Sequence, residues 1–281
     1  MQTPFEPGHC RAAIASMKSK TQRDIAQAEY YYFSGQPEKA LDMAAPYLNS
    51  SDFTARLSAL LISAYASLPL GQDNQAQCFL KQIGKLLDEA KTHSPQLEAA
   101  SAFIASTAAV LLHLPLPQKL PDTEALVTSL PHGLRAFALY IQAHLLYLQK
   151  EYAQSAGIAE ATLVMGAHNY PIPAIYLHLV AVMSYMSLKD VQKARKHLLD
   201  AWNLAQPDDL IEGFGEHHGL LGGMLESVIK PEWPEDFKRI IKITYRFSAG
   251  WRKVHNPAIG NKVADVLTTT EFASAMLAAR G

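Results

Sequence analysis

Residues 32–41 read Tyr32-Phe33-Ser34-Gly35-Gln36-Pro37-Glu38-Lys39-Ala40-Leu41, and they predict two helices joined by a tight turn. The aromatic pair Tyr32 and Phe33 closes the first helix, and Gly35 stands where the chain must change direction. Ala40 falls early in the second helix. Its small side chain is expected there because paired helices that cross closely need room for their backbones to approach.

The same order of residues recurs in three further stretches: Ser67–Ala76, Tyr147–Ala156 and Tyr185–Ala194. The small residues of the four stretches are Ala40, Ala76, Ala156 and Ala194. Their spacing corresponds to one, two and one repeats of about 34–40 residues, which is typical of helical-repeat proteins. The pattern resembles that of tetratricopeptide (TPR) hairpins. It predicts an all-α fold, arranged as a TPR-like helical-repeat superhelix (an α-α solenoid).

Most of the remaining chain also reads as helix. Alternating strand patterns and short hairpin signals are missing, and helix-sized stretches end at polar or Pro/Gly-containing segments such as Pro69–Gln72 and Tyr170–Pro173. Residues 111–130 contain Pro115, Pro117 and Pro121. These prolines predict a distorted or loop-bearing repeat.

Composition places the chain among soluble globular proteins, with 281 residues, 49% hydrophobic and 18% charged. Its formal net charge of −1 provides no general attraction to nucleic acid or acidic membranes. Two cysteines, Cys10 and Cys78, cannot build a zinc site alone and favour a reducing, cytoplasmic setting. The first residues lack the basic region and the apolar core of a secretory signal, so no such signal is expected. The uncharged stretches Ala99–Gln118 and Thr162–Leu188 contain polar residues or prolines and predict buried helices rather than membrane spans.

A basic helix is predicted from Glu235 to about His255, after a glycine-rich segment at residues 213–223. From Lys238 to Lys262 there are seven Lys or Arg residues and no acidic residue. Helical spacing puts three of them on one face: Lys238, Lys242 and Arg246. This face could contact DNA phosphates. The alternative, which the sequence favours, is a solvated face or one that pairs with acidic residues elsewhere.

The densest set of metal-binding side chains is Glu212, Glu216, His217 and His218. Adjacent histidines on a helix point about 100° apart, and none of the usual zinc-ligand spacings occurs. A polar helix start in a glycine-rich turn is therefore predicted, with no metal site and no cofactor. Glycine-rich phosphate loops and nucleophile motifs are also missing, so the chain is not expected to be an enzyme.

An aromatic stripe is predicted on one helix, because Tyr140, His144 and Tyr147 follow at helical spacing. In the TPR architecture this helix lines the concave groove that binds ligands. Tyr176 and His178 belong to the next repeat and face about 200° apart at about 100° per residue, so at most one can join the groove. Tyr140, His144, Tyr147 and His178 are candidate groove residues, although such stripes more often form core.

The motif of residues 267–281 begins with Thr268 and Glu271, which form a capping box that opens a helix. The pattern L-T-x-x-E-x-x-x-x-x-L-x-x-x-G is met at Leu267, Thr268, Glu271, Leu277 and Gly281. It resembles the first helix of the DNA-binding domain of LuxR-type transcription regulators. Ala273 departs from the family, which often has an acidic residue there. The recognition helix of the helix-turn-helix would lie beyond Gly281.

The LuxR-type resemblance extends from about Leu130 to Gly260 and includes Tyr170–Pro173 and Gly215–Gly219. It implies a sensor region in which a small ligand or protein partner controls a C-terminal DNA-binding domain that is missing here. Three domains are expected: a TPR-like domain at residues 1–212, capping helices with the basic helix at 213–260, and a linker with the incomplete helix-turn-helix at 261–281.

DNA is then contacted only through the missing domain, and a homodimer is an expectation because many such regulators dimerise. Two other functions stay open. A free-standing TPR-like scaffold would bind protein partners stably and would not bind DNA. An all-α enzyme would need a cleft of closely spaced titratable groups.

Overall fold

The computed structural model describes residues 3–90, 95–111 and 127–255. Within these ranges the chain is helical and forms no β-strand, so the all-α prediction is confirmed. None of the described helices combines the length and apolar composition needed to cross a membrane. Two predicted features fall wholly or largely outside the described residues, namely the proline-rich stretch at 111–130 and the motif at 267–281.

Two compact units divide the chain, and each is assembled from separated stretches of sequence. The first unit comprises Met1–Lys18 and Lys81–Asp208, and the second comprises Ser19–Leu80 and Asp209–Gly281. The predicted boundary at residue 212 lies close to the change of unit after Asp208. The expected first domain, residues 1–212, contains parts of both units.

The helices of the first unit are α1 (Cys10–Ala15), α6 (Pro95–Leu111), α7 (His132–Leu148), α8 (Tyr152–Val164), α9 (Pro171–Ser187) and α10 (Val191–Ala205). Those of the second unit are α2 (Lys20–Phe33), α3 (Pro37–Ala44), α4 (Phe53–Ser67), α11 (Glu212–His217), α12 (a π-helical turn, Leu225–Ile229, continued by Lys230–Glu232) and α13 (Pro234–His255). Helix α5 (Asp73–Ala90) has residues in both units.

Four helix ends share one turn geometry. A residue two to four positions after each helix has a left-handed backbone, with φ of 72° at Gly35, 69° at Gly71, 67° at Lys150 and 63° at Lys189. The next amide N–H donates to the carbonyl five residues earlier in every case: Gln36 to Tyr31, Gln72 to Ser67, Glu151 to Leu146 and Asp190 to Tyr185. This is the Schellman motif, which satisfies carbonyls left over at a helix end. All four turns lie in the stretches that the sequence singled out.

Small residues follow these turns at a constant distance. Ala40, Ala76 and Ala194 stand five positions after the left-handed residue, and each has 0% exposed surface. In the third turn the same position belongs to Ser155, so the expectation of Ala156 was off by one. The Ser155 hydroxyl is buried and donates to the carbonyl of Ala143 at 2.7 Å. That hydrogen bond makes a polar side chain acceptable at a close helix crossing.

Helix α9 forms the centre of the first unit. It packs against α7, α8 and α10 and is buried on almost every side. Its first turn contains Pro171 and Pro173, where proline is tolerated because the first amides of a helix have no partner within it. The uncharged stretch noted in the sequence is thus broken at Pro171 and continues as a buried helix.

Helix α13 packs against α11 and α12 in the second unit, and its bounds confirm the long helix predicted from about Glu235 to His255. A glycine permits its approach to the end of α4. A β-carbon added at Gly250 would lie 2.0 Å from the carbonyl oxygen of Leu68. Since side-chain carbons do not approach oxygen that closely, this contact requires glycine.

We predict that Gly250→Ala destabilises the chain by about 1–3 kcal/mol, the usual cost of overpacking a close contact. The matched control is Gly84→Ala in α5, where an added β-carbon meets no atom within 4 Å. That control should stabilise by about 0.5–1 kcal/mol, because alanine favours the helix. Urea unfolding measures both, and a Gly250→Ala variant as stable as Gly84→Ala would contradict the packing.

Candidate functional site

The predicted aromatic stripe of α7 exists as a row of contacting rings. The ring centroids of Tyr140 and His144 lie 5.7 Å apart, and those of His144 and Tyr147 lie 6.2 Å apart. Tyr140 also packs edge-on against Tyr176 of α9 at 5.2 Å. Tyr176, and not His178, therefore joins the stripe.

Burial separates the four candidate groove residues. Tyr140 is 0% exposed and His144 is 3% exposed, and the Tyr140 hydroxyl hydrogen-bonds to the His144 ring at 3.1 Å. These two side chains form core, which argues against a direct contact with a ligand. Tyr147 and His178 are partly exposed. A role for them in ligand binding stays a prediction.

His178 belongs instead to a polar set that we call the histidine cluster: Glu160 of α8, His178 and Tyr185 of α9, and His197 and Asp200 of α10. Its two imidazoles are joined by a 2.9 Å contact between their Nδ1 atoms. The His197 Nε2 lies 3.3 Å from Glu160 Oε1, and the Tyr185 hydroxyl donates to the same oxygen at 2.7 Å. One ligand atom each of His178, His197 and Asp200 lies within 4.8 Å of the others.

Protonation within the cluster follows from these contacts. Burial raises the pKa of Glu160, but hydrogen bonds from Tyr185 and His197 outweigh it and hold the pKa below its ordinary value. Burial and the Glu160 contact raise the pKa of Tyr185 to about 12. Burial lowers the pKa of His197, and it lowers that of His178 to about 4 with help from the neighbouring His197. Both imidazoles are therefore neutral near pH 7.

One arrangement of protons satisfies the cluster. The Glu160 carboxylate can only accept, so the His197 Nε2 carries a proton and donates to it. The His197 Nδ1 then bears a lone pair and accepts from the Nδ1–H of His178. The stacked ring of Tyr185, 5.6 Å from His197, limits the orientation of the imidazole. His197 is thus held in a single tautomer with its lone pair facing His178.

The sequence reading found His178 but missed Glu160, Tyr185, His197 and Asp200. A signal was present, because His197 and Asp200 are three residues apart and share a helix face. His178 lies ten residues before Leu188 and His197 nine residues after it. In an antiparallel hairpin, residues at similar distances from the turn lie side by side, so the turn at Lys189 pairs the two histidines.

A second set of metal-binding side chains, at residues 212–218, was considered from the sequence and lies in the second unit. Its side chains do not bring three ligand atoms together. Buried His217 hydrogen-bonds to the Gly213 carbonyl at 2.8 Å, and burial lowers its pKa to about 4. His218 contacts Glu226 at 2.6 Å. Among the described residues, the only set of three metal-binding side chains with ligand atoms this close is His178, His197 and Asp200.

Glu212 is a buried carboxyl group, 2% exposed. Its Oε1 atom has no hydrogen-bond partner within the described part of the chain. Burial raises its pKa well above the ordinary value, and the nearby carboxylate of Glu216 raises it further. Glu216 in turn accepts a hydrogen bond from the Tyr32 hydroxyl. Glu212 is therefore protonated in the fold at a pH where exposed carboxyl groups are charged.

The basic face of α13 is exposed, as its spacing predicts. Lys238 pairs with Glu235 at 2.7 Å, and Arg246 lies 3.8 Å from Glu38 of α3. Such exposed pairs contribute at most about 1 kcal/mol, and they leave Lys242 on the same solvated face. Two of the three basic residues thus have acidic neighbours, as the favoured alternative expects, and a contact with phosphate stays a prediction.

Comparisons of the chain with protein-family models, with curated proteins and with solved structures find no match. Its functional interpretation therefore depends on its own residues and on the LuxR-type resemblance. The five residues that carry that resemblance lie outside the described part of the structure.

The raised pKa of Glu212 predicts a pH-dependent cost to stability. Between its ordinary pKa and its raised value, the folded state binds more protons than the unfolded state, so stability falls as pH rises through this range. Glu212→Gln removes that loss. The melting temperature of the variant relative to the natural chain should rise as the pH increases above the ordinary pKa of a glutamate.

The control for this measurement is Glu232→Gln, because Glu232 is exposed on α12. Its melting temperature relative to the natural chain should stay constant over the same pH range. Parallel pH profiles for Glu212→Gln and the natural chain would contradict a raised pKa of the buried Glu212 carboxyl group.

Proposed function

We propose that this chain is the helical-repeat sensor region of a LuxR-type transcription regulator. It would bind a small ligand or a protein partner and would carry out no catalysis. The observation that carries the proposal is the series of four similar hairpin turns, followed along the chain by the motif at residues 267–281. In this family an effector received by the N-terminal region controls a C-terminal DNA-binding domain.

The shared geometry of the four turns supports a repeat. Each turn combines a left-handed residue, a hydrogen bond to the carbonyl five residues earlier, and a buried small residue five positions further on. A unit with these features cannot bury its apolar faces alone and is stabilised by stacking on a neighbour. We infer that successive hairpins stack as in a TPR-like superhelix, with the partly exposed end of the α7 stripe, at Tyr147, facing the concave side.

The motif at residues 267–281 supports the regulatory part of the proposal. Leu267, Thr268, Glu271, Leu277 and Gly281 reproduce five positions of the first helix of the LuxR-type DNA-binding domain. A capping box followed by an apolar helical face is what such a helix needs to start and to pack. The chain would then sense an effector and rely on further helices to read DNA.

The cheapest test is to sequence the gene beyond the codon for Gly281. The proposal expects an open reading frame that continues into a helix-turn-helix, with a second helix suited to the major groove. A stop codon directly after Gly281 would contradict the regulator and favour the free-standing scaffold, which needs no DNA reader.

A DNA-binding experiment tests whether residues 1–281 sense an effector while further helices read DNA. Residues 1–281 should give no sequence-specific mobility shift, whereas the longer product that includes the helix-turn-helix should shift its own promoter DNA. The matched control is the longer product with Thr268→Ala and Glu271→Ala. Loss of the capping box costs about 1 kcal/mol of helix stability and should weaken the shift. A specific shift by residues 1–281 alone would overturn the proposal.

A further inference from the structure

We propose that His178, His197 and Asp200 bind one divalent transition-metal ion of the zinc class. Glu160 and Tyr185 would hold His197 in place from behind. The inference goes beyond the proposed function and does not depend on it. It differs from the expectation drawn from the sequence, which assigned no metal site, because its ligands come from two helices that meet only in the folded chain.

The three donor atoms already converge. One atom from each side chain lies within 4.8 Å of the other two, and the two Nδ1 atoms are 2.9 Å apart. Zinc binds imidazole nitrogen at about 2.0–2.1 Å, which puts two ligands of one tetrahedral ion about 3.3 Å apart. The two nitrogen atoms therefore need to separate by a few tenths of an ångström, and both rings need to turn so that their lone pairs face the ion and not each other. The Asp200 ligand atom, which lies within 4.8 Å of the imidazole atoms, would move to the same spacing.

His197 is prepared as a ligand by its second nitrogen. Its Nε2–H donates to Glu160, which also accepts from Tyr185, and the lone pair on Nδ1 points toward His178. A carboxylate behind a histidine ligand is the usual support of zinc-binding histidines, where it sets the tautomer and strengthens the donor.

Binding requires one proton rearrangement. His178 now donates from Nδ1, so the ion would displace that proton to solvent while Nε2 takes up another. The imidazole stays neutral, and no bond other than these N–H bonds and the new metal–ligand bonds changes. Asp200 must release Lys196, whose ammonium group lies 2.7 Å from its carboxylate. Both side chains are solvent-accessible, so this exchange costs little.

The charges and exposure of the site suit a dication. Asp200 and Glu160 provide two negative charges, which the exposed ammonium groups of Lys193 and Lys196 offset in part. The Asp200 and Glu160 side chains are 37% and 44% exposed, so an ion can enter from solvent. Two imidazole nitrogens and one carboxylate oxygen favour Zn²⁺, Co²⁺ or Ni²⁺ over Mg²⁺ or Ca²⁺, which prefer oxygen ligands. Three protein ligands leave a fourth position for water or an atom of a bound molecule.

Calorimetric titration of the chelator-treated chain, residues 1–281, with Zn²⁺ tests the site. We expect one ion per chain, no heat with Mg²⁺, and a melting temperature that rises with Zn²⁺ concentration. His178→Gln, His197→Gln and Asp200→Asn should each raise the Kd at least tenfold. Glu160→Gln should raise it by about 10–100-fold while keeping one ion per chain.

The matched controls are His132→Gln and His168→Gln, which alter exposed histidines of the same unit and should leave the Kd unchanged. Asp200→Asn changes a partly exposed residue, so its effect is readable even if a histidine variant fails to fold. The absorption spectrum of Co²⁺ bound to the natural chain needs no variant and should show a low-coordinate nitrogen and oxygen site.

Two results would overturn the proposal. One is the lack of stoichiometric Zn²⁺ binding by the natural chain. The other is an equal Kd in the natural chain and in folded Asp200→Asn, His178→Gln and His197→Gln, which would place the ion on other histidines among the eleven of the sequence.

Discussion

The left-handed residue that ends the first helix of each hairpin is the feature on which the rest of the described structure depends. At Gly35 and Gly71 this conformation is easily adopted, because glycine lacks a β-carbon. At Lys150 and Lys189 it costs about 1 kcal/mol or more, and the fold must compensate. The hydrogen bonds from Glu151 and Asp190 to carbonyls five residues earlier provide part of that compensation.

The turn at Lys189 links the fold to the histidine cluster. It sets the register of α10 on α9, and that register puts His197 beside His178. The preceding turn, at Lys150, begins α8, whose Glu160 reaches His197 from the other side. A shift of one residue in either hairpin would rotate these side chains by about 100° and separate them. The cluster is thus a consequence of hairpin geometry, and it requires both turns.

Much of the fold was predictable because its signals are local. Glycine at a turn, proline in a first helical turn and alanine at a close crossing act within a few residues, and they located four turns and the long helix α13. Local patterns failed at one crossing, where they predicted Ala156 and the structure has Ser155. A serine fits this crossing because of a hydrogen bond to Ala143, twelve residues away, which no local pattern reveals.

The candidate site was less predictable because its contacts join side chains of different helices. His178 was named as a candidate groove residue, but its partner His197 lies 19 residues away, and Glu160, which contacts His197, lies 37 residues before it. The burial of Tyr140 and Glu212 likewise depends on neighbouring helices. Hydrophobic periodicity indicates which face of a helix is covered, whereas the covering side chains are known only once the hairpins are packed.

The most direct test of this account is the unfolding free energy of a double variant, Lys150→Gly with Lys189→Gly. If both residues are left-handed, glycine relieves strain at each, and the first unit should gain about 1–2 kcal/mol. Arg195→Gly, at an exposed position inside α10, should instead lose about 0.5–1 kcal/mol. A double variant that loses stability as Arg195→Gly does would show that Lys150 and Lys189 are not left-handed turn residues. It would also contradict the helix register that brings the histidine cluster together.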